Sequence, residues 1–207
     1  MEVDGIIFDL DGTLWDSSIH VAKSWSEELS QHEYERKVVT VEEITSCMGL
    51  RMDKIAEKLF PELEEEIRAE IMSKCCKREN MYLSVHGGIL YEKIEDTLKI
   101  LSEKYKIIIV SNCQDGYIES FFKAHGLQKY FIDYECPGRT GLNKGENIKL
   151  VIERNNIKRA VYIGDTLGDA NSAKFAKIPF IYAKYGFGEV DNFEYSIDSF
   201  SELLKII

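Results

Sequence analysis

Three short apolar runs constrain this chain more than any other feature. They are Gly5-Ile6-Ile7-Phe8-Asp9-Leu10, Lys106-Ile107-Ile108-Ile109-Val110-Ser111 and Ala160-Val161-Tyr162-Ile163-Gly164-Asp165. A run of β-branched and apolar residues without alternation suits a strand buried on both faces, as in a parallel sheet covered by helices. Two weaker runs, Tyr130–Tyr134 and Phe180–Ala183, have the same character. Between the runs lie segments with helical spacing. Leu90, Ile94, Leu98 and Leu101 precede the second strong run, and Ala170, Ala173 and Ala176 follow the third.

Strands and helices in this order predict an α/β fold with a doubly wound, Rossmann-like parallel-sheet core. Residues 17–85 interrupt the alternation with helical pattern alone. Ile19, Ala22, Trp25 and Leu29 form one stripe; Leu63, Ile67, Ile71 and Cys75 form another, with Pro61 placed at a helix start. A βα connection ordinarily takes about 2–6 residues, so a segment of this length is expected to be an inserted α-helical cap subdomain. The expected division is a core of residues 1–16 and 86–207 and a cap of residues 17–85, with Gly87-Gly88 marking the return.

Composition removes several function classes. The chain has 26 Lys plus Arg against 36 Asp plus Glu, a net charge of -10 that argues against a basic face for a nucleic acid polymer or an anionic membrane. No apolar run is long enough to span a bilayer, and Met1-Glu2-Val3-Asp4 does not begin like a secretion signal. Five cysteines (Cys47, Cys75, Cys76, Cys113 and Cys136) are an odd number without metal-ligand spacing, which suits a reduced, cytoplasmic protein. A monomer or homodimer is expected.

In an open parallel sheet, ligands gather beyond the carboxyl ends of the strands. The three strong runs end there in Asp9 and Asp11, in Ser111 and Asn112, and in Asp165 with Asp169. Asp9 and Asp11 are two apart, so extended backbone points both side chains the same way. Each pair also has a purely structural reading: Asp11-Gly12 as a turn, and Asp165 to Asp169 as a helix cap. Together they concentrate negative charge at one sheet edge, which asks for a cation. Oxygen ligands without His or Cys suit a hard divalent ion, and a site left open to substrate phosphate points to Mg2+.

The segment Asp9-Leu10-Asp11-Gly12-Thr13-Leu14-Trp15-Asp16-Ser17 resembles the first motif of the haloacid dehalogenase-like hydrolase superfamily. Val110-Ser111-Asn112 resembles its second motif, Lys144 in Leu142–Ile148 its third, and Gly164-Asp165 with Asp169 its fourth. Order and separation fit as well, and the similarity spans the whole chain. It is nearest to the phosphoglycolate phosphatase and β-phosphoglucomutase-like branch, which carries a helical cap. The resemblance implies a Mg2+-dependent phosphatase acting on a small phosphorylated metabolite such as phosphoglycolate, a sugar phosphate or a nucleotide. It implies Asp9 as nucleophile and Asp11 as general acid and base. Ser111, the Asn112 backbone amide and Lys144 would hold the phosphate. Asp9, the Asp11 carbonyl and Asp165 would ligate the metal, with Asp169 acting directly or through water.

The cap should choose the substrate. Arg51, in Gly49-Leu50-Arg51, is the first candidate to pair with a remote anionic group, ahead of Lys77, Arg78 and Asn80. A sugar phosphomutase is the nearest alternative, although the His that such mutases carry ten residues after the general acid is here Val21, with His20 one place off. A phosphonate hydrolase would need a cap lysine, for which Lys23 is the candidate. From another class, a phospho-receiver switch also joins acids, magnesium, a hydroxyl and a lysine.

Overall fold

Strand β1 (Gly5–Phe8) sits inside a six-stranded, wholly parallel sheet of order β5-β4-β1-β6-β7-β8. The others are β4 (Lys106–Val110), β5 (Asp133–Glu135), β6 (Ala160–Gly164), β7 (Phe180–Ala183) and β8 (Tyr195–Ile197). A computed structural model describes residues 1–34 and 36–207. The chain steps from β1 outward to β4 and β5, then returns to the other side of β1 for β6, β7 and β8. Strand order therefore reverses at β1, where such sheets open a crevice.

The unalternating runs are explained by burial on both faces. Ile6 and Phe8 of β1, Ile107 and Ile109 of β4, and Val161 and Ile163 of β6 enter one apolar cluster, with Leu98, Leu101, Phe121 and Phe200. Ile7, Ile108, Val110, Ala160 and Tyr162 enter a second, with Ile148, Val151 and Ala173. Helices α5 (Ile94–Ser102) and α6 (Tyr117–His125) thus serve the first face, and α8 (Lys144–Arg154) and α9 (Leu167–Ala176) the second. A short α7 (Pro137–Thr140) precedes α8, and α10 (Leu203–Ile206) ends the described chain.

Between the two-residue strands β2 (Trp15–Asp16) and β3 (Ile89–Leu90) the described residues form helices and no strand. These are α1 (Ser18–Ser30), α2 (Val41–Thr45), α3 (Met52–Leu59) and α4 (Glu65–His86). No helix among the described residues is long and apolar enough to cross a membrane.

Several local expectations need correction. Pro61 lies in a turn, and α4 begins at Glu65. Leu63 therefore precedes the helix, and Ile67 and Ile19 are exposed, because the buried faces are Ile71-Cys75-Glu79-Leu83 on α4 and Val21-Ala22-Trp25-Leu29 on α1. Leu90 belongs to β3 rather than to α5. The run Tyr130–Tyr134 becomes a strand only from Asp133, since Phe131 is drawn into an aromatic cluster with Phe121 and Phe122.

Candidate active site

Parallel register brings three strand ends to one sheet edge. Phe8 pairs with Ile109 on one side and Ile163 on the other. One residue beyond Phe8 comes Asp9; two beyond Ile109 and Ile163 come Ser111 and Asp165. All three are buried. Single carboxylate oxygens of Asp9, Asp165 and Asp169 lie within 4.8 Å of one another.

One ammonium faces these acids. Asn143 caps α8, its side chain accepting from the Glu146 amide, and so fixes Lys144 as the first helical residue. Lys144 is 3% exposed; its Nζ donates to Asp169 Oδ1 at 2.7 Å and lies 3.0 Å from Asp9 Oδ1, off the axis of a good hydrogen bond. Burial works against this charge, but the carboxylates of Asp169 and Asp9 outweigh it and raise the lysine's pKa. Burial and the Asp169 charge push Asp9 up to about 7, with Lys144 opposing. Burial, Asp169 and Asp9 lift Asp165 well above the carboxylate range.

The three acids differ in what they leave free. Asp169 closes a capping box at the start of α9: its Oδ2 accepts from the Thr166 hydroxyl (2.6 Å) and amide (3.0 Å), and Oδ1 accepts from Lys144 and from the Tyr162 hydroxyl (3.3 Å). Both its oxygens are engaged. Asp165 Oδ2 accepts from the Phe187 amide at 2.7 Å, while its Oδ1 is buried without a hydrogen-bond partner among the described residues. Gly12, at φ +77°, passes so close that a Cβ there would lie 2.1 Å from Asp165 Oδ2. A Cβ on Gly186 would likewise lie 2.2 Å from the Asp165 Cβ.

Asp11 points elsewhere. Its Oδ1 meets Trp15 Nε1 at 2.8 Å, Ser17 Oγ at 2.7 Å and the Tyr117 hydroxyl at 2.7 Å, and the two hydroxyls lie 2.8 Å from each other. Trp15, Ser17 and Tyr117 can each donate to Asp11 Oδ1, which makes this oxygen the common acceptor of the cluster. Burial lifts the Asp11 carboxyl above its usual range against these donors.

Asp9, Asp11, Ser111 and Asn112 border one cavity whose opposite wall is supplied by α1–α4. The space a water molecule can enter there is ≈ 50 Å³, room for only a few waters. Asn112 Nδ2 donates to the Gly49 carbonyl at 2.9 Å, tying the end of β4 to the turn before α3. Arg51 does not reach this cavity. It is exposed, pairs with Asp53 at 3.2 Å and borders an outer groove that shares Met52, Asn112, Cys113 and Gln114 with the cavity, so the expectation that it grips substrate from within is not carried. Lys77 and Asn80 line that outer groove too, and Arg78 pairs with Glu27 at 2.7 Å.

Sequence reasoning missed Trp15, Ser17 and Tyr117 as partners of Asp11, and Glu79 in the cavity wall. Glu79 is buried, accepts from Trp25 Nε1 at 2.7 Å, and is pushed up to about 8 by burial despite that donor. The signal for Glu79 was present: continuing the stripe of Ile71 and Cys75 by one helical repeat lands on it.

Comparison with known proteins agrees with this geometry. The family model described as "Haloacid dehalogenase-like hydrolase" matches residues 6–183. The chain belongs to the haloacid dehalogenase-like hydrolase family. Within that family it is similar to phosphatases. The phosphoglycolate phosphatase of Vibrio parahaemolyticus is 26% identical over 222 residues, covering 98% of this chain and 95% of the relative. Among solved structures, a predicted phosphoglycolate phosphatase of Haemophilus somnus superposes with a TM-score of 0.86 at 19% identity, covering 98% of this chain and 97% of the other. A haloacid dehalogenase-like family protein of Streptococcus pneumoniae superposes at 0.81 and 21% identity, covering 99% and 98%. The two structures share the fold, and the relatives put this enzyme among phosphatases.

Proposed function

We propose that this enzyme is a Mg2+-dependent phosphatase that hydrolyses a small phosphorylated metabolite through an aspartyl-phosphate on Asp9, with the helices α1–α4 acting as its cap. The observation that carries the reading is the charge at the sheet edge. Asp9, Asp165 and Asp169 gather around a single ammonium, Lys144, and Asp165 Oδ1 has no donor. Ionised, the four groups leave a deficit of two positive charges, which a divalent cation makes good. An all-oxygen donor set suits magnesium. Asp9, Asp165 and the Asp11 carbonyl would hold it, while Asp169 contributes charge and orients Lys144. The ion's part is to draw charge from the phosphoryl oxygens.

The remaining chemistry falls to the chain. An Asp9 oxygen attacks phosphorus in line with the ester oxygen, and the P–O bond to the alcohol breaks as the Asp9–phosphorus bond forms. Asp11, protonated within the Trp15–Ser17–Tyr117 cluster, gives its proton to the departing alcohol oxygen. It then takes one from the water that splits the aspartyl-phosphate, releasing inorganic phosphate and restoring Asp9. The Ser111 hydroxyl, the Asn112 amide and Lys144 bind the phosphoryl oxygens, where negative charge must be balanced throughout.

The competing readings lose their residues. His20 holds the Gly87 carbonyl at 2.6 Å, and the cavity is bordered by Val21 instead, so a mutase has no histidine there. Lys23 lies over the Tyr82 ring and does not line the cavity, which counts against a phosphonate hydrolase. Asp11, placed to activate water, counts against a long-lived receiver switch.

The test is turnover of p-nitrophenyl phosphate and a panel of phosphorylated metabolites with magnesium, with rapid quench into acid. Wild type should release phosphate and show a transient phosphorylated Asp9 peptide. Asp9→Asn should lose turnover by at least about 1,000-fold while keeping its fold by circular dichroism. Undiminished activity in a folded, undeamidated Asp9→Asn protein refutes the mechanism.

A further inference from the structure

The cavity beneath α1–α4 has a wall that the phosphoryl chemistry leaves unused. Val21, Trp25, Ile44, Met48, Leu50 and Ile55 make most of it apolar. Into this wall α4 sends Glu79, which is 4% exposed. Its Oε2 is occupied by the Trp25 indole N–H at 2.7 Å. The other donor near its carboxyl is the Gln114 side-chain amide, which also donates to Asn80 Oδ1 at 3.0 Å, and both Glu79 and Gln114 line the cavity.

The charges missing from the cavity matter equally. Among the described residues no Lys, Arg or His borders it. Arg78, next in the chain to Glu79, is turned away to Glu27, and Arg51 is paired with Asp53 outside. The carboxyl groups that do border it, Asp9, Asp11 and Glu79, offer no positive charge to a second anion. A substrate carboxylate placed against this wall would lose its water and find no cation, a costly arrangement. A hydroxyl or ammonium would instead find an acceptor already oriented by Trp25.

We propose that Glu79 makes this enzyme selective for phosphate esters whose alcohol portion carries no negative charge and offers a hydrogen-bond donor, either a hydroxyl or an ammonium. The inference rests on the phosphatase reading. It departs from the substrate in the names of the relatives, because phosphoglycolate carries a carboxylate on the carbon that bears its ester oxygen. The small volume of the cavity adds that the alcohol portion is short.

Four esters of nearly equal size test the proposal on the full chain with magnesium: phosphoglycolate, 2-hydroxyethyl phosphate, ethanolamine phosphate and propyl phosphate. The better of the two donor-bearing esters should exceed propyl phosphate in kcat/KM by about 10-fold or more, and phosphoglycolate should come last. Assayed at pH 9, where Glu79 is ionised, Glu79→Gln keeps the size but removes the negative charge, and should erase a preference for the ammonium while sparing one for the hydroxyl. Glu79→Met should erase both. Turnover of p-nitrophenyl phosphate reports whether each variant keeps its core, and the wild-type ranking stands without the variants. Phosphoglycolate as the best of the four overturns the proposal, as does a ranking unchanged in both variants. Failure to hydrolyse any ester, p-nitrophenyl phosphate included, refutes the phosphatase reading itself and the selectivity with it.

Discussion

Glu79 makes the stability of this protein depend on pH in a way that one substitution should remove. Its carboxyl has an ordinary value of 4.5 and is pushed up to about 8 in the folded chain, chiefly by burial. Below pH 4.5 the group is protonated in both states and costs nothing. Above that, the unfolded chain releases the proton while the folded chain keeps it, so stability falls as pH rises until the folded group also ionises near pH 8. Between pH 6 and pH 8 the fall attributable to this one group is about 2 kcal/mol. Glu79→Gln preserves the volume and an acceptor for Trp25 Nε1 but has no proton to exchange. Urea unfolding of both proteins at pH 6 and pH 8 isolates the effect, because Asp9 and Asp165 titrate alike in each. Glutamine should gain about 2 kcal/mol on the wild type between the two pH values. Parallel profiles would mean that Glu79 is ionised at pH 6, and the buried acid described above would be wrong.

Asp165→Ala should raise the magnesium concentration needed for half-maximal activity by about 10-fold or more, since it removes a buried oxygen without a donor; an unchanged magnesium titration takes Asp165 out of the site. Tyr117→Phe removes one of the donors to Asp11 Oδ1, so kcat for an alkyl phosphate should fall about 10-fold while p-nitrophenyl phosphate, whose leaving group needs little protonation, falls less in the first step. Equal losses on both would show that Tyr117 only supports the fold. Arg51→Ala should change kcat/KM by less than about 2-fold on any small ester, because the exposed Arg51–Asp53 pair lies outside the cavity; a larger loss confined to anionic substrates would return Arg51 to the site.

The core could be read from residues because its physics is local. A run such as Lys106–Val110 has no polar face, so it needs cover on both sides, and the polar residue that ends it must lie at the sheet edge. That logic brings Asp9, Ser111 and Asp165 to one edge from the sequence alone. Lys144 needed the spacing of the motifs, since a lysine opening a helix is ordinarily solvated. Tyr117 gave no local sign: it reaches Asp11 across 106 positions of chain, at the start of a helix whose pattern shows only an apolar face. Strand β8 was missed because Tyr195-Ser196-Ile197 is three residues at a sheet edge, too short for a periodic signal. Arg51 misled for the converse reason. Its charge and loop position suit a substrate contact, but Asp53 two residues on gives it a local partner.

The pairing of β2 with β3 has a consequence for how such a chain can change. Trp15 faces Leu90 and Asp16 faces Ile89, so the helical segment leaves and re-enters through two adjacent crossings of chain. Gly88 fits there because a Cβ would come within 2.8 Å of the Asp16 carbonyl and the Trp15 ring. An insertion anchored this way closes its loop at the two-strand neck, whatever its own length, and the entropy of closure grows only slowly with added residues. The six-stranded sheet carries no hydrogen bond to β2 or β3. Above the neck the helices meet the core chiefly where α4 packs against α6, a contact that any replacement would have to restore. A different bundle grafted between Asp16 and Ile89 would put a new wall over the same acids, and selectivity could diverge between descendants while the chemistry at the strand ends stayed fixed.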